Sequence, residues 1–332
     1  MITLAEYINK KQLLDDQVKV TEIATLEAQL NRHNFKESAE RIYQIMFDET
    51  PDPDVFTGHK FFKTKVVKPT FTRVDLMKKG LQAFRMVMVR HAEKIRMPGN
   101  PEFDTAGLVK FENFLSEEKA SNVLKEIETF PLIENIQPSN NINNIDKDKT
   151  PAIYDFIFNS DLFKICVQAV HRDINDEAAW NHFTKTTYIQ RLENVPGPND
   201  IQKVCHSDVF YPCLKYRYFP EGVTLEQGPF NFALNSVDLT YEALDYWYEE
   251  SIKIVTDIWD QRKNKGHAEG SLRAFPEDLE RMGHKLTPVV VKPNTLIIGN
   301  TSGWHARGDA HVRSIRNAVH GAIRVETPFD VY

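Results

Sequence analysis

The chain is poor in several things, and each absence narrows what it does. There is no apolar run near the roughly 20 residues needed to cross a bilayer, and the opening MITLAEYINKKQ has no apolar core of a signal peptide. No cluster of Lys and Arg stands out in a chain of net charge −6. A nucleic-acid partner leaves a basic stripe, so that class is set aside. Cysteine is scarce: Cys166, Cys205 and Cys213, an odd number without metal-site spacing. Free thiols in a reducing compartment fit this, and a cytoplasmic protein is expected. There is no Gly-rich phosphate loop and no Asp-Phe-Gly, so His171-Arg-Asp173 is not read as a kinase loop.

What is present is a 332-residue chain of ordinary globular composition, 41% hydrophobic and 27% charged. Residues 1–100 read as a mainly helical extension, with Leu26, Leu30, Ala39, Ile42, Ile45 and Met46 at helical spacing. Pro51, Pro53 and Pro69 interrupt it over 49–71, and a helix returns over Asp75–Ile95. Pro98-Gly-Asn-Pro101 marks a boundary. From about 101 to 332 short strands dominate: Gly107–Phe111, Thr186–Leu192, Cys213–Phe219, Asn231–Leu234, Val289–Val291, Thr295–Ile298 and Ser314–Val325. Helices are expected from Ser116 to about Glu128, over Ile153–Ala169, and as an insertion at about 239–263. Residues 134–150 read as a polar surface loop. The pattern predicts a mainly β core, sandwich or barrel, with helices outside it. Alternation in the last strand puts Arg316, Ala318, His320, Ala322 and Arg324 on one face and Ile315, Val319 and Ile323 on the other. A small, polar face opposite a β-branched one fits a strand that lines a cavity.

The stretch Asn294–Arg316 carries the chemistry. A short apolar strand runs into a Gly/Asn/Thr/Ser loop, out of which come Trp304 and His305, and Arg316 follows on the next strand. An imidazole can hold a metal while a guanidinium clamps a carboxylate nearby. Two His and one carboxylate form the facial triad of mononuclear non-haem Fe(II) sites, which leaves three positions open. Four His-x-Asp/Glu pairs occur, at His91, His171, His206 and His267. The pairs at 91 and 267 read as solvated faces. Only His206-Ser-Asp208 stands between strands, with a Gln/Asn-bearing strand before it and the His305/Arg316 pair after it. Each residue alone has a blander reading: His305 as a core or loop histidine, Arg316 as an ion-pair residue.

On these residues the chain resembles the phytanoyl-CoA dioxygenase family of Fe(II)/2-oxoglutarate oxygenases, over about Gly107 to Val325. The resemblance lies in Gly107-Leu-Val-Lys-Phe with Phe114-Leu-Ser116, His206-Ser-Asp208, Glu226-Gln-Gly-Pro-Phe230, Thr295-Leu-Ile-Ile-Gly-Asn, Trp304-His305 and Arg316. It implies a double-stranded β-helix, or jelly roll, with iron on His206, Asp208 and His305, and Arg316 on the distal carboxylate of 2-oxoglutarate. Gln190-Arg-Leu-Glu-Asn194 is similar to the ectoine hydroxylases of that family, which implies Gln190 and Asn194 in the site and Asn194 on the cosubstrate. The chemistry implied is decarboxylation of 2-oxoglutarate by O2 with hydroxylation of a C–H bond in a small-molecule or carrier-bound acyl or aminoacyl substrate. Asp208 favours hydroxylation over halogenation, since family halogenases carry a small residue there. Leu234-Asn-Ser-Val237 departs from the Pro-Gly-Ser-His frequent in the family, and the helical insertion and first 100 residues lie outside the shared part. An Fe(II) oxygenase that uses no 2-oxo acid, and a jelly-roll binding protein without turnover, stay open. Tyr211, Tyr216, Tyr218, Arg217, His320 and Arg324 are the candidates to line a substrate pocket; oligomeric state is not legible.

Overall fold

In the computed structural model, residues 2–58, 71–96, 99–132, 145–194, 196, 201–256, 271–324 and 327–331 are described. The first segment is helical for local reasons. Thr3 caps α1 (Leu4–Lys11) by accepting from the Glu6 amide, and the Glu6 carboxylate returns to the Thr3 amide. Asp16 caps α2 (Gln17–Ala28) in the same sense. In α3 (Phe35–Phe47) the residues Phe35, Ala39, Ile42, Tyr43 and Met46 form one buried stripe. The single helix expected over Asp75–Ile95 is two, α4 (Phe71–Lys78) and α5 (Leu81–Ile95). Gly80 parts them at φ 95°, a left-handed conformation that glycine adopts without strain. Every residue from Leu81 to Val89 is buried, so α5 is surrounded rather than laid on a surface. The proline-rich stretch holds a 3-10 turn, Pro53–Phe56, and its remainder over 59–70 lies outside the described residues. After it, Asn100 caps a short α6 (Pro101–Ala106) that the breaker motif had hidden.

Two five-stranded antiparallel sheets follow. The strands are β1 (Leu108–Glu112), β2 (Tyr188–Asn194), β3 (His206–Ser207), β4 (Leu214–Phe219), β5 (Phe230–Phe232), β6 (Leu272–Arg273), β7 (Thr287–Val289), β8 (Thr295–Asn300), β9 (His305–Arg307) and β10 (Ser314–Ile323). One sheet runs β1-β8-β4-β10-β2 and the other β6-β3-β9-β5-β7. Leu108, Phe219, Ile297 and Ala318 of the first meet Phe230, Phe232 and Val289 of the second in one apolar cluster, which makes a sandwich. The β core with helices outside it matches the sequence expectation at that level.

Helices cover the outer face of the β1-β8-β4-β10-β2 sheet, the larger of the two by strand length: α7 (Glu117–Glu128), α8 (Pro151–Phe158), α9 (Leu162–Ala169) and α10 (Glu177–Thr186). Ser116 caps α7 as expected. The helix expected over Ile153–Ala169 is broken between Phe158 and Leu162 into α8 and α9, and α10 carried too few buried residues, Ala179 and Phe183, to show in the periodicity. Most of the 134–150 loop, and the end of the 239–263 insertion, lie outside the described residues. The rest of the insertion is α11 (Tyr241–Thr256), whose Leu244, Tyr246 and Trp247 join the cluster formed by α1, α3 and α5. That cluster also takes in Val209, Phe210, Tyr211 and Trp304, so the N-terminal helices pack against the loops that carry the candidate ligands. Among the described residues no helix is long and apolar enough to cross a membrane.

The larger sheet depends on a close seam. Gly321 of β10 lies opposite Tyr216 of β4, whose ring covers the glycine and whose hydroxyl lies 2.6 Å from Thr187 Oγ1. A methyl group at 321 would enter the ring. Gly321→Ala is expected to lower unfolding stability by about 2 kcal/mol, a typical overpacking cost. An unchanged midpoint in chemical denaturation would show that the seam yields freely.

Candidate metal centre

The candidate ligands are brought together by strand pairing. His206 on β3 lies directly opposite His305 on β9, and their rings are 4.3 Å apart. Paired residues on neighbouring strands project from the same face, so both imidazoles point the same way. Asp208 is two residues past His206 and returns to that face. Ser207, between them, points away, and its hydroxyl donates to Ser302 O at 2.8 Å and Val209 O at 3.0 Å. The Asp208 amide donates to Thr301 O at 2.8 Å. The two segments are thus tied by groups other than the candidate ligand atoms. Asp208 Oδ1 is 3.9 Å from His206 Nε2, and Oδ2 is 3.8 Å from His305 Nε2. The three ligand atoms lie within 4.8 Å of one another, the one such group of three among the described residues.

The tautomers are set from behind. His206 Nδ1 is 2.9 Å from Val204 O, and His305 Nδ1 is 3.0 Å from Gly303 O. A carbonyl only accepts, so each Nδ1 carries the proton and each Nε2 presents a lone pair. His305 Nε2 is buried without a hydrogen-bond partner. Burial pushes His206 down to about 4, and the nearby Asp208 offsets only part of this. His305 is held well below the usual imidazole range by burial and by His206 beside it. Burial alone would raise the Asp208 carboxyl, but the Lys215 ammonium against it outweighs this and holds it well below the carboxylate range. Two neutral imidazoles and an ionised carboxylate, with a bare nitrogen aimed between them, are the donor set and protonation state that a divalent ion needs.

Lys215 was not among the candidates. Its ammonium is 2.5 Å from Asp208 Oδ2. Alternation along β4 sends Lys215, Arg217 and Phe219 into the sandwich and Leu214, Tyr216 and Tyr218 out to the helices. Tyr216 and Tyr218 are therefore not pocket residues, and the second hydroxyl donates to Asn294 Oδ1 at 2.9 Å. Tyr211 is buried in the cluster with the N-terminal helices, and Arg324 lies just past the end of β10, where its amide donates to His182 Nδ1. The aromatic spacing of β4 hid its inward cations, because buried tyrosines fit a helix-packing face as well as a pocket.

The other expected site residues share the inner face of the larger sheet. Gln190 and Asn194 on β2 lie opposite Ala318 and Ser314 of β10, and Arg316 lies between those two on the same face. Arg316 Nη1 donates to Gly228 O at 3.1 Å, and Asn194 Nδ2 to Gln227 O at 2.6 Å, so both grip the Gln227-Gly228 turn. Gln190 Oε1 is buried without a partner. Two of the remaining His-x-acid pairs are structural. His91 is not a solvated residue: it meets the buried Glu27 at 2.7 Å and joins α5 to α2, while Glu93 pairs with Arg90 at 2.8 Å. His171 pairs with Asp104 at 2.9 Å, and the pair at 267 lies outside the described residues.

Removing one ligand should separate metal binding from folding. Asp208→Ala is expected to weaken Fe(II) or Mn(II) binding by at least about 100-fold, beyond the 10–100-fold typical of residues that only support a ligand. Lys215→Met should tighten it, because the ammonium competes for Oδ2. Calorimetric titration reads both, and retained affinity in Asp208→Ala would remove this carboxylate from the donor set.

No family model matches the chain, and no curated protein matches it. Solved structures do. The epimerase SnoN, in complex with Fe3+, alpha ketoglutarate and nogalamycin RO, aligns with a TM-score of 0.42 at 10% identity, over 67% of this chain and 80% of its own. AviO1 from Streptomyces viridochromogenes Tue57 aligns with a TM-score of 0.39 at 11% identity, over 67% and 90%. HygX from Streptomyces hygroscopicus, with iron bound, aligns with a TM-score of 0.35 at 11% identity, over 66% and 82%. These likenesses are distant, and the case for the site rests on its own geometry.

Proposed function

We propose that the chain is an Fe(II)/2-oxoglutarate-dependent oxygenase acting on a small molecule, and that its two sheets form a double-stranded β-helix. The observation that carries the reading is the convergence of His206 Nε2, His305 Nε2 and the Asp208 carboxylate within 4.8 Å, in a buried setting that keeps both imidazoles neutral. Support comes from Arg316, placed on the inner face of the strand next to the Gln190/Asn194 row, and from the motif resemblance in His206-Ser-Asp208 and Trp304-His305.

In this reading His206, Asp208 and His305 hold the iron, which when bound supplies activation of O2 together with 2-oxoglutarate. Arg316 holds the distal carboxylate of 2-oxoglutarate by a charge-assisted bond, braced by its second bond to Gly228 O. Gln190, with a buried unpartnered oxygen, and Asn194, tied to the turn beneath Arg316, orient what enters the same face. Ser207 and the carbonyls of Val204 and Gly303 keep the ligand atoms in place before the metal arrives, which lowers the ordering cost of binding. The walls exclude water: Phe230 lies 5.6 Å from the His305 ring, and Trp304 and Phe210 are buried behind. The reaction would be oxidative decarboxylation of 2-oxoglutarate, with one oxygen atom of O2 entering a C–H bond of the substrate, the other entering the new carboxylate of succinate, and CO2 released.

One observation favours a second reading, a binding protein without turnover. The Lys215 ammonium already sits against Asp208 Oδ2, where it supplies the positive charge that a metal would. One titration decides between them. Fe(II)-loaded protein titrated with 2-oxoglutarate under anaerobic conditions is expected to develop a weak metal-to-ligand charge-transfer band. Arg316→Ala should abolish the band while iron stays bound. Iron binding without a band would leave an iron protein that uses no 2-oxo acid, and failure to bind iron would favour the second reading.

A further inference from the structure

Cations enter the sandwich from both sheets: Lys215 and Arg217 on β4, Arg316 on β10 and Arg307 on β9. The reading above engages two of them, since Lys215 answers Asp208 and Arg316 answers 2-oxoglutarate. Arg217 is different. Its guanidinium carbon lies 4.2 Å from the centre of the Phe230 ring, a stacking contact that satisfies the face of the group and leaves its edge. On that edge Nη1 is buried and has no hydrogen-bond partner.

The residue directly opposite Arg217 across the β4–β10 pairing is His320, and the one opposite His320 across β10–β2 is Tyr188. All three project into the sandwich from one row. His320 stacks on Tyr188 with ring centres 5.2 Å apart and an 11° tilt, which fixes the imidazole plane. Its Nε2 is also buried without a partner. The imidazole is held neutral by burial and by Arg217, Arg316, Arg307 and Lys215 around it, so it can donate one N–H without adding charge. Two orphaned buried nitrogens on adjacent strands, one of them cationic, are a preformed cradle for an anion. An unanswered guanidinium in such a place is costly, and an anionic guest removes that cost. The same Phe230 ring that carries Arg217 lies 5.6 Å from the His305 ring, so the cradle is one phenyl ring from the metal ligands.

We propose that Arg217 and His320 form an anion subsite, separate from the Arg316 site, which binds a carboxylate or phosphate group of the substrate. The substrate is thus an acidic small molecule, anchored by its anionic group with the reacting carbon extended past Phe230 toward the metal. The substrate role rests on the oxygenase reading, but the subsite itself does not.

The test uses the full chain and two simple anions, acetate and inorganic phosphate, titrated calorimetrically into metal-free protein and into the anaerobic Fe(II)·2-oxoglutarate form. One of the two is expected to bind, and the tighter names the anionic group. Arg217→Gln should weaken it at least about tenfold, as loss of a charge-assisted bond requires. Arg217→Lys should keep most of it, and His320→Gln should weaken it severalfold. In each variant the 2-oxoglutarate charge-transfer titration should move less than about twofold, since its carboxylate is assigned to Arg316. If Arg217→Gln does not fold by circular dichroism, Arg217→Lys and His320→Gln carry the comparison. No anion binding in the native protein, or equal binding in Arg217→Gln, overturns the proposal. So does a loss of 2-oxoglutarate affinity in Arg217→Gln, which would give Arg217 to the cosubstrate. Arg217-dependent anion binding without any 2-oxoglutarate band would sustain the subsite and remove the oxygenase reading.

Discussion

The antiparallel contact between β3 and β9 is the constraint on which the site depends. It is a single residue pair, His206 opposite His305, and it sets two imidazoles side by side on a buried face. Such a short contact cannot hold itself. The serine between the candidate ligands bonds across to Ser302, the Asp208 amide bonds to Thr301, and Ala233 and Trp304 join the adjoining loops backbone to backbone. Burial then does the electrostatic work. It strips water from the imidazoles, which favours their neutral form, and leaves one carboxylate whose charge must be answered in a medium of low dielectric. Lys215 answers it in this chain.

That burial is provided by parts of the chain remote in sequence. One apolar cluster runs from Leu4 and Tyr7 through α3 and α5 to Phe210, Tyr246 and Trp304. Arg85, at the centre of α5, is fully buried; it donates to Val55 O and Thr57 O and lies over the Phe210 ring, two residues beyond Asp208. The C-terminal segment closes the same region, with Phe329 against Phe56 and Phe210 and with Arg96 and Arg172 on its carbonyls. The helices before the β core therefore form the back wall of the candidate centre.

The larger sheet shows how one strand serves two environments. In β4 and β10 the outward residues Leu214, Tyr216, Tyr218, Val319 and Ile323 pack against helices, while Lys215, Arg217, Arg316 and His320 face inward. Period-two alternation makes this possible without any irregularity. The outward face supplies apolar burial, which steadies a sheet whose inner face carries several buried cations.

Much of this was written in the sequence. A strand's alternation is local, so the inward face of β10, the Gln190/Asn194 face of β2 and the cap of α7 by Ser116 follow from spacing alone. The His206-Ser-Asp208 pair and His305 also stood out, through their place among the strands, the Arg316 that follows and the motif resemblance. What the sequence could not decide were matters of pairing and partner. Which face of β4 turns inward depends on the helices that cover the other side, and tyrosines are compatible with both. His91 looked solvated until α2 brought Glu27 against it. Lys215 has no local mark of a carboxylate partner seven residues back across a turn, and Arg217 and His320 become neighbours only through the β4–β10 register. Local sequence determines which way a side chain points along its own element. Only the tertiary structure decides what it points at, because that depends on distant residues brought close and on the water they displace.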